Sequence, residues 1–299
     1  SFSHFRCPYH HWTFALDGRI LSMPQCEKDD SLSLEELPCE QALGFIWLNL
    51  DQNASPLKTY LSDILAPLEN YRLAEQHCHS IWHSPLSANW KTSVDAHNEV
   101  YHLPALHPEI LGIIDDKKAK TQCFSLHAKM TVPMFTSPQR PLGHRAKKYA
   151  QNVYKQMQLP YPIDRQRVTQ VLQRQSALPL KEEELNQTQL IYIFPNVQLN
   201  LRHNEVMVFR HLPDPDHPQQ CRFTQFLLRS VPAEQRPEER EISALDKRYG
   251  SITGVDLRIV SHVQKGLQND PNGYIHLTKN EELIRHMHQT LSTMDLRDE

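Results

Sequence analysis

No apolar run in this chain approaches the ~18 residues that span a bilayer, so no transmembrane helix is expected. Charge of one sign is lacking too. The net charge is −3 over 299 residues, which argues against a nucleic-acid or membrane-surface partner. The six cysteines (Cys7, Cys26, Cys39, Cys78, Cys123 and Cys221) are scattered and form no disulfide framework, which favours a reducing cytoplasm. No signal peptide is expected, and the sequence shows no initiator Met, internal repeat or low-complexity tract. The chain opens inside a motif, Ser1-Phe2-Ser3-His4-Phe5-Arg6-Cys7, and is expected to be a fragment whose first part precedes Ser1. What the chain does have is histidine, 18 in all; histidine is the commonest metal ligand and proton shuttle.

Residues 1–50 read as short strands. Trp12 to Leu16 and Arg19 to Leu21 flank Asp17-Gly18, a type I′ hairpin signal, and Gly44 to Leu50 is a further strand. A connector over 51–80 holds a short helix from Leu57 to Leu65. Beyond it, Ser80 to His83 reads as a strand and Asn89 to Tyr101 as a helix. Ser125 to Val132 is again strand-like. Residues 139–186, polar and broken by Pro160, Pro162 and Pro179, read as a helical insertion or lid. Strand signals follow at Leu190–Phe194, Val197–Leu201, Val206–Phe209 and Phe223–Leu228, with a turn at Arg202-His203-Asn204. Helices are expected at about 254–268 and 280–293. Without βαβ alternation, this order predicts an α+β fold, an antiparallel sheet wrapped around a helix.

One cluster carries chemistry. Glu99 and His102, three apart, lie ~60° from each other on a helix, whereas His102 and His107 would lie ~140° apart. Pro104 is expected to end the helix near His102, which lets His107 swing back. The two imidazoles can then converge, with Glu99 holding the other nitrogen of His102. Asp256 shares a stripe with Val260, Val263 and Leu267, and a metal would relieve the cost of burying its carboxylate. Two His and a carboxylate with open positions is the facial triad of oxygen-activating ferrous enzymes. Singly, these residues have plainer readings: Asp256 as a helix N-cap, Glu99 on a solvated face. Near the start, Cys7 and His10 match one of the two Cys-His segments of a Rieske [2Fe–2S] centre. The alternatives there are a structural Cys with a surface His, or a zinc site recruiting Cys26 or Cys39.

These residues resemble the alpha subunit of Rieske non-heme iron oxygenases, the ring-hydroxylating family, over nearly the whole chain. Phe5-Arg6-Cys7-Pro8-Tyr9-His10-His11-Trp12 followed by Leu16-Asp17-Gly18-Arg19 looks like that family's second cluster segment. Asn89-Trp90-Lys91, with Glu99, Tyr101, His102, His107 and Pro108, is similar to its iron motif. Phe194-Pro195-Asn196-Val197 resembles its central sheet motif, and Asp256 with Gln264-Lys265-Gly266-Leu267 its final ligand segment. Three positions depart: His11 where Gly is usual, Ala96 where Asn is common, and Val255 where an acid is frequent.

The resemblance implies a partial Rieske β domain (1–50), a connector (51–80) and a helix-grip, START-like catalytic domain with a mononuclear iron (81–299). It implies a [2Fe–2S] cluster on Cys7 and His10, whose other two ligands lie upstream of Ser1, and Fe2+ on His102, His107 and Asp256. Glu99 would bridge to His10 of a neighbouring subunit in a trimer and carry electron transfer. Electrons would come from NAD(P)H through a reductase, with or without a ferredoxin; a beta subunit is left open. The expected reaction is hydroxylation of a small organic, aromatic substrate with O2. Rival readings are monooxygenation or N-demethylation of a quaternary amine, a zinc hydrolase, and a non-catalytic carrier of apolar ligands.

Overall fold

The computed structural model describes residues 3–135, 141–159, 161, 163–243, 252–270 and 272–295. Pro160 and Pro162, expected to break the polar segment, lie outside these residues. The chain divides into two compact units, Ser1–Leu61 and Ser62–Glu299.

In the first unit β1 (His4–Arg6), β2 (Thr13–Ala15) and β3 (Ile20–Ser22) form an antiparallel sheet, and β4 (Cys39–Ala42) pairs with β5 (Phe45–Leu48). A single turn, α1 (Leu57–Tyr60), follows, its first backbone N–H donating to Glu40 Oε1 at 2.7 Å. The hairpin at Asp17-Gly18 is not type I′. That turn needs positive φ at both central residues, and here only Gly18 has it, at 83°. The loop is one residue longer: Gly18 N donates to the Ala15 carbonyl and Ala15 N to the Arg19 carbonyl. His11 sits at φ 61°, left-handed backbone that glycine adopts freely and that costs other residues ~1–2 kcal/mol.

The second unit starts with α2 (Ser62–Leu68). The helix expected over Leu57 to Leu65 is therefore two short helices, and the second carries Pro67 in its closing turn, where the missing N–H forfeits a single bond. Then come β6 (His77–Leu86), α3 (Trp90–Asp95), α4 (Leu103–Leu106), β7 (Lys120–Cys123) and β8 (Ala128–Pro133). The polar segment folds as α5 (His144–Gln156), α6 (Arg165–Gln175) and α7 (Glu182–Leu185). Strands β9 (Gln187–Ile193), β10 (Val197–Leu201), β11 (Glu205–Pro213), β12 (Cys221–Arg229) and β13 (Glu238–Glu241) follow, and α8 (Thr253–Asn269) and α9 (Glu282–Asp295) close the described chain. The strand expected at Ser125 to Val132 starts later, because Phe124 to His127 is the turn between β7 and β8.

One eight-stranded sheet, in the order β13-β6-β12-β11-β10-β9-β8-β7, organises this unit. Every pairing is antiparallel except β13 with β6. The fold is α+β, as the strand spacing implied. Two helices cover different halves of the sheet. Leu257 and Val260 of α8 pack with Leu86, Phe209 and Phe223, while Leu283 and Met287 of α9 pack with Ala128, Met130, Val132 and Tyr192. Each of these buried aliphatic side chains contributes roughly 1.5–3 kcal/mol. Helices α5 to α7 build a third cluster around Tyr154, Val168, Leu172 and Leu185.

Candidate metal centre

Local hydrogen bonding shapes the stretch that carries the candidate ligands. Asn89 caps α3, its Oδ1 accepting from Lys91 N at 2.9 Å. The helix was expected to run to Tyr101 but stops at Asp95. Side chains compete for the backbone there: His97 Nδ1 donates to the Ser93 carbonyl at 2.9 Å, and the Asn98 carboxamide is taken by Gln198 at 2.6 Å. Glu99 then caps the next turn, accepting from the backbone N–H groups of Tyr101 and His102 (the latter at 3.0 Å) and from His102 Nδ1. Pro104 does not end a helix. It lies in the first turn of α4, where its missing N–H costs nothing. His102 and His107 therefore flank α4 as its two caps, and the convergence that an unbroken helix forbids is achieved by breaking it on both sides.

Asp256 arrives from the first turn of α8, whose N-cap is Ile252. The buried stripe of α8 is Asp256, Leu257, Val260 and Gln264; Val263 is exposed and Leu267 half-buried, contrary to the sequence reading. The stripe rotates because Gln264 points inward, its Oε1 accepting from Asn89 N at 2.8 Å and Thr92 Oγ1 at 3.1 Å. That pair of bonds fastens the Asp256 helix to the start of α3.

The result is a compact donor set. Asp256 Oδ1 lies 2.6 Å from His107 Nε2 and 3.7 Å from His102 Nε2. One donor atom from each residue falls within 4.8 Å of the others, and no other such trio of His, Cys or acidic groups occurs among the described residues. His107 is fully buried, with Nδ1 lacking a partner, and Asp256 is 8% exposed. Burial opposes charging His102, but the bond to Glu99 and the charges of Glu99 and Asp256 outweigh it and raise its pKa. Glu99 also decides the tautomer: with Nδ1–H committed, His102 presents Nε2 as a lone pair. Two imidazoles and an ionised carboxylate at this spacing fit one divalent ion at ~2.0–2.2 Å.

Deeper support comes from groups the sequence reading missed. Ser93 Oγ and Gln198 Oε1 hold the two nitrogens of the buried His211 at 2.8 and 2.9 Å, and Gln198 donates to the Val94 carbonyl and Asn98 Oδ1. Burial keeps His211 neutral, its pKa well below the usual value. The detectable signal was Gln198, a polar residue between the apolar Val197 and Leu199 of β10. A cavity of about 1290 Å³, measured out to its mouth, opens beside His102 and Asp256 and reaches Thr188, Asn200 and Arg202. Glu99, His102 and Asp256 also line a second groove, of about 760 Å³, bordered by α8.

Cys7 and His10 sit on the loop between β1 and β2, closed by Cys7 N to the Trp12 carbonyl at 2.8 Å. Cys7 is half-buried and His10 exposed; no third His, Cys or acidic group joins them among the described residues, Cys26 and Cys39 included. No helix of the described residues is long and apolar enough to cross a membrane.

Comparison with known proteins gives relatives in sequence and in fold. A carnitine monooxygenase oxygenase subunit of Acinetobacter pittii is 30% identical over 139 residues, 42% of this chain and 35% of that protein. A glycine betaine monooxygenase oxygenase subunit of Chromohalobacter salexigens is 32% identical over 115 residues, 36% of this chain and 25% of that protein. The chain thus matches about a third or less of these curated relatives' length. Among solved structures, the quaternary ammonium Rieske monooxygenase CntA in complex with L-carnitine superposes with a TM-score of 0.67 at 18% identity, covering 98% of this chain and 72% of that one. Naphthalene 1,2-dioxygenase from Rhodococcus sp. gives 0.61 at 18% identity, over 98% and 76%. The family model for the ring hydroxylating alpha subunit (catalytic domain) matches residues 70–294, well over half of the chain, and the chain belongs to that family.

Proposed function

We propose that this chain is the oxygenase component of a Rieske-type enzyme that hydroxylates a small organic substrate with O2, through a mononuclear ferrous ion held by His102, His107 and Asp256. The convergence of their three donor atoms beside a largely aliphatic cavity carries this reading. Iron bound there supplies open coordination positions for oxygen and one-electron chemistry. The chain's own residues do the rest. Glu99 fixes the ring plane of His102 through Nδ1, and burial of His107 and Asp256 keeps water from competing for the donors. Aliphatic walls from Leu103, Ile110 and Met130 hold a substrate body beside the donor set. Residues 1–50 act as the end of the cluster domain, with Cys7 and His10 as [2Fe–2S] ligands, and 51–80 as a connector into the catalytic part. Glu99 bridges to a neighbouring subunit's His10 within a trimer, and a reductase delivers electrons from NAD(P)H. The six unpaired cysteines suit the cytoplasm.

A second reading, oxidation of a quaternary amine with loss of part of its nitrogen substituent, is favoured by the names of the carnitine and glycine betaine relatives. Asp256→Ala tests the shared premise. The variant is expected to lose one iron per chain, and with it substrate oxidation, while keeping any [2Fe–2S] signal. Retention of that iron, or zinc in its place in the wild type, would overturn the proposal. Product analysis on aromatic and trimethylammonium substrates separates the two readings.

A further inference from the structure

We propose that the cavity takes a monoanionic carboxylate substrate, with Arg202 and Asn200, which line it together with His102 and Asp256, binding the carboxylate. The inference rests on the oxygenase reading for what happens at the donor set, but the binding claim stands on its own geometry. Arg202 is the only Lys or Arg among the described residues that line the cavity. It follows β10 directly, two residues after Asn200, so both side chains leave the same face of the extended chain.

The charge balance there is unequal. Glu205 is shared between Arg202, at 3.4 Å, and Arg229, at 3.3 Å, so one carboxylate faces two guanidinium groups. Among these three groups one positive charge is left over. Arg202 lines the cavity and keeps 33% of its side chain exposed, so a ligand can reach the guanidinium there. Beside it, Thr188 Oγ1 donates to Asn200 Oδ1 at 2.8 Å, which leaves the Asn200 NH2 as the donor for a ligand. Tyr149 lines the same cavity; its burial, the largest effect, keeps the hydroxyl protonated and able to donate, with the Arg202 and Glu109 charges acting on it in opposite senses.

A planar carboxylate matches this set: two acceptor oxygens, one negative charge and a fork of N–H donors. A quaternary ammonium group alone does not. The carboxylates lining the cavity are Glu99 and Asp256, and both already face the histidines.

The test is equilibrium binding by calorimetry on the full chain, with phenylacetate, its uncharged isostere phenylacetamide, and choline. Wild type should bind phenylacetate roughly tenfold or more tightly than phenylacetamide, the worth of hydrogen bonds to a charged group. Choline should bind no better than the amide. Arg202→Gln should erase the preference for the carboxylate, and a circular-dichroism spectrum and melting temperature matching wild type show that the variant is folded. Asn200→Ala should shrink the preference by a smaller factor and serves if Arg202→Gln fails to fold. No preference in wild type, tight choline binding, or an intact preference in either variant would overturn the proposal. None of these readings needs iron or oxygen, so failure of the oxygenase assignment in the iron count would be distinguishable from failure here.

Discussion

Replacing Gln264 with leucine tests whether the candidate centre depends on the clamp between two helices. Gln264 Oε1 accepts from Asn89 N and Thr92 Oγ1, both at the start of α3, and the side chain is 8% exposed. Leucine is of similar size but offers no acceptor. Two donors would be left without partners in a buried setting, at ~1–3 kcal/mol each. Burying the leucine returns ~1 kcal/mol in apolar transfer. The net expectation is a loss of about 1–5 kcal/mol, a drop in melting temperature of roughly 2–20 °C for a unit of this size. Because the same helix carries Asp256 two turns earlier, its displacement should also weaken iron binding by about tenfold, the lower end of what outer contacts to metal ligands control. Thermal unfolding followed by circular dichroism, with iron counted on the same samples, reads both effects. A Gln264→Leu protein that melts with wild type and holds the same iron would refute the idea that this clamp positions Asp256.

Two further outcomes follow from single positions. At Gly112 a Cβ would meet Ala150 Cβ at 2.8 Å and the Ala146 carbonyl at 2.9 Å, so Gly112→Ala should destabilise by ~1–3 kcal/mol by pushing α5 off the turn before it; unchanged denaturant midpoints would contradict this. Burial lowers the pKa of His203 to about 4, so the folded protein keeps this ring neutral where the unfolded chain protonates it. The stability this contributes is present above the unfolded value near 6.5 and is lost as pH falls toward 4. Between pH 7 and 5 it amounts to about 2 kcal/mol. His203→Gln should flatten the pH dependence of unfolding over that interval by about this amount, and an equal slope in the two proteins would show that the ring is not the source.

Much of the architecture was legible because strands and turns announce themselves locally. The β10 span and the Arg202-His203-Asn204 turn emerged from alternation and turn residues alone, and the two closing helices from their 3.6-residue period. The misplacements share a cause. Asn89 to Tyr101 has helical propensity, but His97 and Asn98 find partners in Ser93 and Gln198, and those bonds break the helix. The α8 stripe departs from its apolar periodicity because two distant donors draw Gln264 inside.

The sequence by itself determined the class of the fold, the family likeness, and the short roll of residues able to ligate metal, since each of these depends on residue type and near-neighbour spacing. Tertiary structure decided that Asp256 meets two histidines from the other half of the unit and that Arg202 ends up in the same cavity. Those facts depend on contacts between segments separated by 100 residues or more, and no local period or spacing encodes them.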